Sequence, residues 1–190
     1  GQTEEAFIKE VLQPYFLRLN LCLIPIICMT SKTPFGKHKG GITDYNKVKA
    51  ELTRICRGHP RELVTTMFDY YGLPANTPGR EICERNIFAK ADHIERSIEN
   101  DIGATNLFVN LVVHEFEGLL FSVPDAFASV ADSTVVEAIR QVKNQFASPE
   151  HINDSVQTAP SKRLENLIPN YPKVRNGLIV SRKIGLDKLL

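Results

Sequence analysis

Two apolar runs in this chain end in carboxylates. Leu63-Val64-Thr65-Thr66-Met67-Phe68 stops at Asp69, and Leu107-Phe108-Val109-Asn110-Leu111-Val112-Val113 leads into His114-Glu115-Phe116-Glu117. Acids just past the ends of parallel strands suit a divalent-cation or acid/base centre, because ligands of open α/β sheets bind beyond the carboxyl ends of the strands. The pattern points to an acidic active site. Asp69 by itself reads either as a turn former that caps backbone amides or as a metal ligand. Glu115 and Glu117 would share a face on a continuing strand but diverge by about 200° on a helix. Leu119-Leu120-Phe121 favour the helix, where both acids suit the positive end of the dipole and His114 becomes a boundary residue bonded to backbone. Metal binding is the sharper alternative.

Cations stand at two further places. The loop Phe35-Gly36-Lys37-His38-Lys39-Gly40-Gly41 lacks the GxxxxGK[ST] arrangement, so it is no nucleotide-binding P-loop. It reads either as a surface loop or as a segment lying along a nucleic-acid backbone, with Lys37 and Lys39 on phosphates. Ser161 reads as the N-cap of a helix whose first turn holds Lys162 and Arg163, an ordinary cap or an anion site made of amides and two cations.

The elements that would position these groups follow from spacing. Phe7, Ile8, Val11, Leu12, Tyr15, Phe16 and Leu19 recur at helical intervals, with Pro14 predicting a kink or restart. Leu21-Cys22-Leu23-Ile24-Pro25-Ile26-Ile27 reads as an edge or irregular strand. A helix over Asp44 to Cys56, a buried strand over Leu63 to Phe68, a helix over Glu84 to Asn100 and a strand over Leu107 to Val113 complete an alternation. That order argues for an α/β fold with a parallel sheet, its first strand expected just before Gly1. Beyond Pro124 the pattern turns helical with Pro-rich connections, through Val135 to Phe146. The expected division is a core over 1–122 and a helical, basic appendage over 123–190.

Composition is that of a globular chain: 190 residues, 43% hydrophobic and 24% charged. No apolar run approaches the roughly 20 residues of a membrane helix. Cys22, Cys28, Cys56 and Cys83 show neither CxxC spacing nor zinc-type histidine pairs, which suits a reducing cytoplasm. Net charge is +1, but residues 160–190 hold seven Lys/Arg against Glu165 and Asp187, a local +5 on a body of −4. Such asymmetry reads as a phosphate-facing surface or as solvated helix faces. The chain opens without an initiating methionine or a secretory signal and stops in an apparent helix start, so trimming at both ends is expected.

Five segments carry a resemblance: Gly1-Gln2-Thr3-Glu4, Thr65-Thr66-Met67-Phe68-Asp69-Tyr70-Tyr71-Gly72-Leu73-Pro74, His114-Glu115-Phe116-Glu117-Gly118-Leu119-Leu120-Phe121, Pro149-Glu150-His151-Ile152-Asn153 and Ala159-Pro160-Ser161-Lys162-Arg163. Together, and over nearly the whole chain, they resemble the bacterial family catalogued as domain of unknown function 4276. That family is similar to the TOPRIM domains of topoisomerases, primases and overcoming-lysogenization-defect nucleases. The resemblance implies a small Rossmann-like parallel sheet in which a Glu-Gly-x-x-Glu motif and an acidic Asp-x-Asp motif gather Mg²⁺. Glu4 matches the second glutamate of the first motif, and the first would immediately precede Gly1. Asp69 matches the first acid of the other motif, whereas Tyr71 stands where the second would be. Glu115 and Glu117, in the family's own motif, are candidates on chemical grounds to supply the missing carboxylate.

The expectation is then Mg²⁺-dependent (or Mn²⁺-dependent) phosphodiester hydrolysis of DNA. Glu4, Asp69 and Glu115 or Glu117 would hold the ion, Lys162 and Arg163 would stabilise charge on the phosphate, and His114 would move a proton. The alternative is a noncatalytic TOPRIM-like module that binds nucleic acid or partners an ATPase. The resemblance suggests such partners in bacterial defence settings. A small phosphate-ester hydrolase would use the same residues.

Overall fold

The computed structural model describes residues 1–28, 44–113, 115–148, 152 and 159–189. Lys37, Lys39 and His114 lie outside the described residues, as does most of Pro149-Glu150-His151-Ile152-Asn153. The chain forms two compact units, one of Gly1–Ile27 with His114–Leu190 and one of Cys28–Val113. This partition by packing follows a different line from the expected division at residue 122, which rests on element type.

The unit Cys28–Val113 is α/β. Helix α3 (Tyr45–Gly58) starts where the Asp44 side chain accepts the Asn46 N–H, and it buries Tyr45, Val48, Leu52 and Cys56 along one face. Helix α4 (Ile87–Ile102) is capped by Asn86 on the Phe88 and Ala89 amides, and it ends at Gly103, left-handed at φ 67°. Ala91, Ile94 and Ile98 of α4 join Leu73, Leu107, Val109 and Leu111 in the core. The apolar runs that read as two continuous strands are instead interrupted. β1 (Val64–Thr65) pairs in parallel with β3 (Leu107–Phe108), and β2 (Phe68–Asp69) with β4 (Leu111–Val112). At the interruption the buried Thr66 hydroxyl enters the ladder, donating to the Asn110 carbonyl at 2.8 Å and accepting the Asn110 N–H at 2.9 Å. On the far side of this strand, the Val109 and Leu111 amides donate to the Glu99 and Glu95 carboxylates of α4, both at 2.7 Å.

The other unit is helical. Its first segment runs as α1 (Gln2–Phe7), a π-helical turn (Ile8–Leu12) and α2 (Gln13–Arg18). The restart expected at Pro14 takes that form: Pro14 falls in the first turn of α2, where its missing N–H costs least, and the widened turn before it absorbs the change of register. Residues 21–27, read as a strand, have no regular structure, and Ile24 is 76% exposed. Pro25 removes a ladder donor at their centre. Farther along lie α5 (Phe116–Leu120), a 3₁₀ turn (Pro124–Ser129), α6 (Ser133–Asn144), α7 (Pro160–Leu167), α8 (Lys173–Ile184) and a final 3₁₀ turn (Leu186–Lys188). Helix α8 packs against α1, α5 and the first 3₁₀ turn. Gly177 permits that approach, since a Cβ there would lie 3.1 Å from the Phe116 ring and 3.6 Å from Thr3. The Phe7 and Phe116 rings meet at a 58° tilt with centroids 5.0 Å apart, and Phe121, Phe127, Ile139, Leu164 and Val180 fill the interior.

Candidate functional site

The acids after β4 sit at the start of α5. Glu115 takes the N-cap position with extended ψ, and Glu117 lies in the first turn. The helical alternative to a continuing strand is therefore the one realised. Glu115 turns toward α7, where its Oε2 accepts the Ser161 N–H at 2.8 Å. Ser161 is not the N-cap that the sequence suggests. Ala159 holds that place, Pro160 and Ser161 form the first turn, and no side chain of the segment caps it. The acceptor comes from Glu115 instead, because Pro160 sets the helix start two residues earlier than a Ser161 cap would.

Glu117 is buried, at 7% exposure. Burial pushes its carboxyl above the ordinary glutamate range, the charges of Glu115 and Glu4 push the same way, and the Lys173 ammonium and its own backbone amide oppose them. The Lys173 Nζ lies 3.9 Å from Glu117 and 3.4 Å from Glu165, while Glu165 is held at 2.6 Å by Lys162. These pairs hold Glu165 below the usual range, the Lys162 hydrogen bond most, and raise Lys162 in return. Beside them Tyr171 is buried with its hydroxyl unpaired, and desolvation together with the Glu117 charge pushes that phenol upward. The arrangement is a chain of alternating charge, Glu117–Lys173–Glu165–Lys162, laid across the starts of α5, α7 and α8.

The fold thus brings Glu4, Glu115, Glu117, Ser161 and Lys162 into one unit and one electrostatic neighbourhood. Arg163 instead lies over the Phe146 ring at 5.3 Å. Asp69 belongs to the other unit, is exposed, and accepts the Tyr71 N–H at 3.0 Å, the turn-forming geometry that its position after a strand allows. A family model described as Domain of unknown function (DUF4276) matches residues 1–190. The chain belongs to this family. No curated protein and no solved structure matches it.

In this DUF4276 chain the sequence left Tyr171, Lys173 and Glu165 unassigned. The signal available was local: Tyr171-Pro172-Lys173 sets a cation on the first residue of a helix, where the dipole favours anions. Among the described residues, no three His, Cys, Asp or Glu side chains converge as a ready-made metal cage. Among them, too, no helix is long and apolar enough to cross a membrane.

Proposed function

We propose that the protein is a Mg²⁺-dependent phosphodiester hydrolase acting on DNA, a TOPRIM-type nuclease, with Mn²⁺ able to replace Mg²⁺. The observation that supports this most is the placement of the buried Glu117 carboxyl within reach of the Glu115 and Glu4 charges, with the Lys173 ammonium 3.9 Å away. Mg²⁺ keeps several waters and needs only one or two carboxylates plus substrate phosphate, so the sparse donor set fits it although no full cage is formed among the described residues. Glu4 with Glu115 or Glu117 would hold the ion, and Asp69 is the further acid that the resemblance assigns to metal. When bound, the ion supplies polarisation of the phosphate and acidification of a water. Lys162 contributes positive charge to a phosphate drawn to the start of α7, Arg163 extends that basic edge, and His114 follows β4 as the candidate proton carrier.

The reading is tested on supercoiled plasmid and single-stranded DNA with Mg²⁺, with Mn²⁺ and with chelator, beside Asp69→Ala. Metal-dependent nicking absent from the variant is the expected result. Undiminished cutting by a folded Asp69→Ala protein would remove Asp69 from the mechanism. No cutting by the folded wild type favours the second reading, a noncatalytic TOPRIM-like module that binds nucleic acid or an ATPase. That reading draws on Tyr71 at the second acid position and on the use of Asp69 in a turn.

A further inference from the structure

We propose that Tyr171 and Lys173, at the start of α8, form a binding site for the phosphate group of a nucleotide or nucleic-acid strand. Three kinds of donor lie within a few residues of one another in the chain there, and the Tyr171 phenol and the Lys173 ammonium both face the Glu117 charge. The Tyr171 hydroxyl is buried without a hydrogen-bond partner, a costly state for a polar group, and the residue is only 7% exposed. Among the described residues the contacts of the Lys173 ammonium are long, 3.4 Å to Glu165 and 3.9 Å to Glu117, where a charge-assisted bond closes to about 2.7–2.9 Å. The first amides of the twelve-residue α8 have no side-chain cap, and its first turn carries Lys173 and Arg175 with no acid. Cations at the positive end of a helix are disfavoured unless an anion joins them. A tetrahedral phosphate has oxygens enough to take a phenol, an ammonium and free amides together, which one carboxylate does not.

The nearby Glu117 and Glu165 carboxylates oppose an anion, so a divalent cation between phosphate and carboxylate should strengthen the binding; that clause rests on the metal-dependent reading above. The Lys173 ammonium then leaves its two long contacts for the phosphate.

The test measures binding of inorganic phosphate, a nucleoside 5′-monophosphate and a short single-stranded oligonucleotide, with Mg²⁺ and with chelator, by calorimetry or ³¹P NMR. Wild type is compared with Tyr171→Phe and Lys173→Gln. The expected result is a loss of about tenfold in affinity for each variant, the scale of one hydrogen bond to a charged group, while Tyr171→Phe keeps the thermal midpoint of the wild type or raises it. The probe bound most tightly tells a free phosphate from a strand. Wild-type affinity in both folded variants overturns the proposal, and so does failure of the wild type to bind any of the three probes in either condition. Phosphate binding lost in the variants of a protein that cuts nothing keeps this site and removes the hydrolase. Cutting by a protein whose variants bind phosphate unchanged does the reverse.

Discussion

Glu115 caps a helix it does not belong to: its carboxylate accepts the amide proton of Ser161 across 46 residues of chain. The candidate acid of α5 and the basic start of α7 are thereby one structural unit, and a substitution at Glu115 touches both stability and any chemistry. The two effects separate by choice of variant. Glu115→Gln keeps an acceptor oxygen and should hold the wild-type thermal midpoint. Glu115→Ala should cost about 1 kcal/mol, the usual worth of an N-cap, or roughly 2–4 °C in a domain of this size. Equal midpoints for the two would show that the cap contributes nothing.

Glu117 makes a prediction about pH. Its carboxyl is raised by burial and by Glu115 and Glu4 against the pull of Lys173, so the folded protein holds that proton more tightly than the unfolded chain does. The associated stability is complete below the ordinary glutamate range and is lost as pH rises through it toward the raised folded value. Glu117→Gln removes this dependence. Relative to wild type, the variant should therefore gain stability on going from acid to neutral pH, read as a widening difference in unfolding midpoint. A difference that stays flat across that interval would contradict the assignment.

Thr66 should be sensitive out of proportion to its size. Thr66→Val keeps the shape but strands the Asn110 N–H and leaves the Asn110 carbonyl only the long 3.4 Å bond from the Phe68 N–H, so a loss of about 1–3 kcal/mol is expected in denaturant unfolding. Thr66→Ser, which restores the hydroxyl, should recover most of it. Failure of the serine to rescue would mean that packing, not the inserted hydroxyl, is what matters at this position.

Two glycines should behave oppositely. Gly79 has φ 81° and would place a Cβ 2.6 Å from Ser97 Oγ and 3.0 Å from His93, so Gly79→Ala should lose at least about 1 kcal/mol. Gly58, at the last turn of α3, has open space around the same position, and Gly58→Ala should be neutral or slightly stabilising. Thermal melts of the pair decide it, with equal losses counting against the backbone argument.

Helices were the legible part of this fold. The helix read over Asp44 to Cys56, which buries Tyr45, Val48, Leu52 and Cys56 along one face, follows from local physics that one segment contains, whereas the cap expected of Ser161 falls instead to Ala159 and Glu115. The acids at Asp69, Glu115 and Glu117 were legible as strand-end carboxylates for the same reason. What the sequence did not show depends on partners distant in the chain. The hydroxyl of Thr66 inside the ladder, the cap lent by Glu115 and the approach of Lys173 to Glu117 and Glu165 have no periodicity to announce them. Residues 21–27 misled because an apolar, branched composition fixes a preference for extension and says nothing of whether an edge is there to receive it.

The carboxylates of Glu95 and Glu99 stand where a neighbouring strand would otherwise be, four residues apart on α4 and taking the outward amides of Leu111 and Val109. A helix thus finishes a sheet on that flank. On that flank the sheet takes no further strand unless α4 lets go, and Glu95, its carboxyl raised chiefly by burial, is a latch that added acid loosens. Growth by strand addition therefore meets a proton-sensitive stop on this flank.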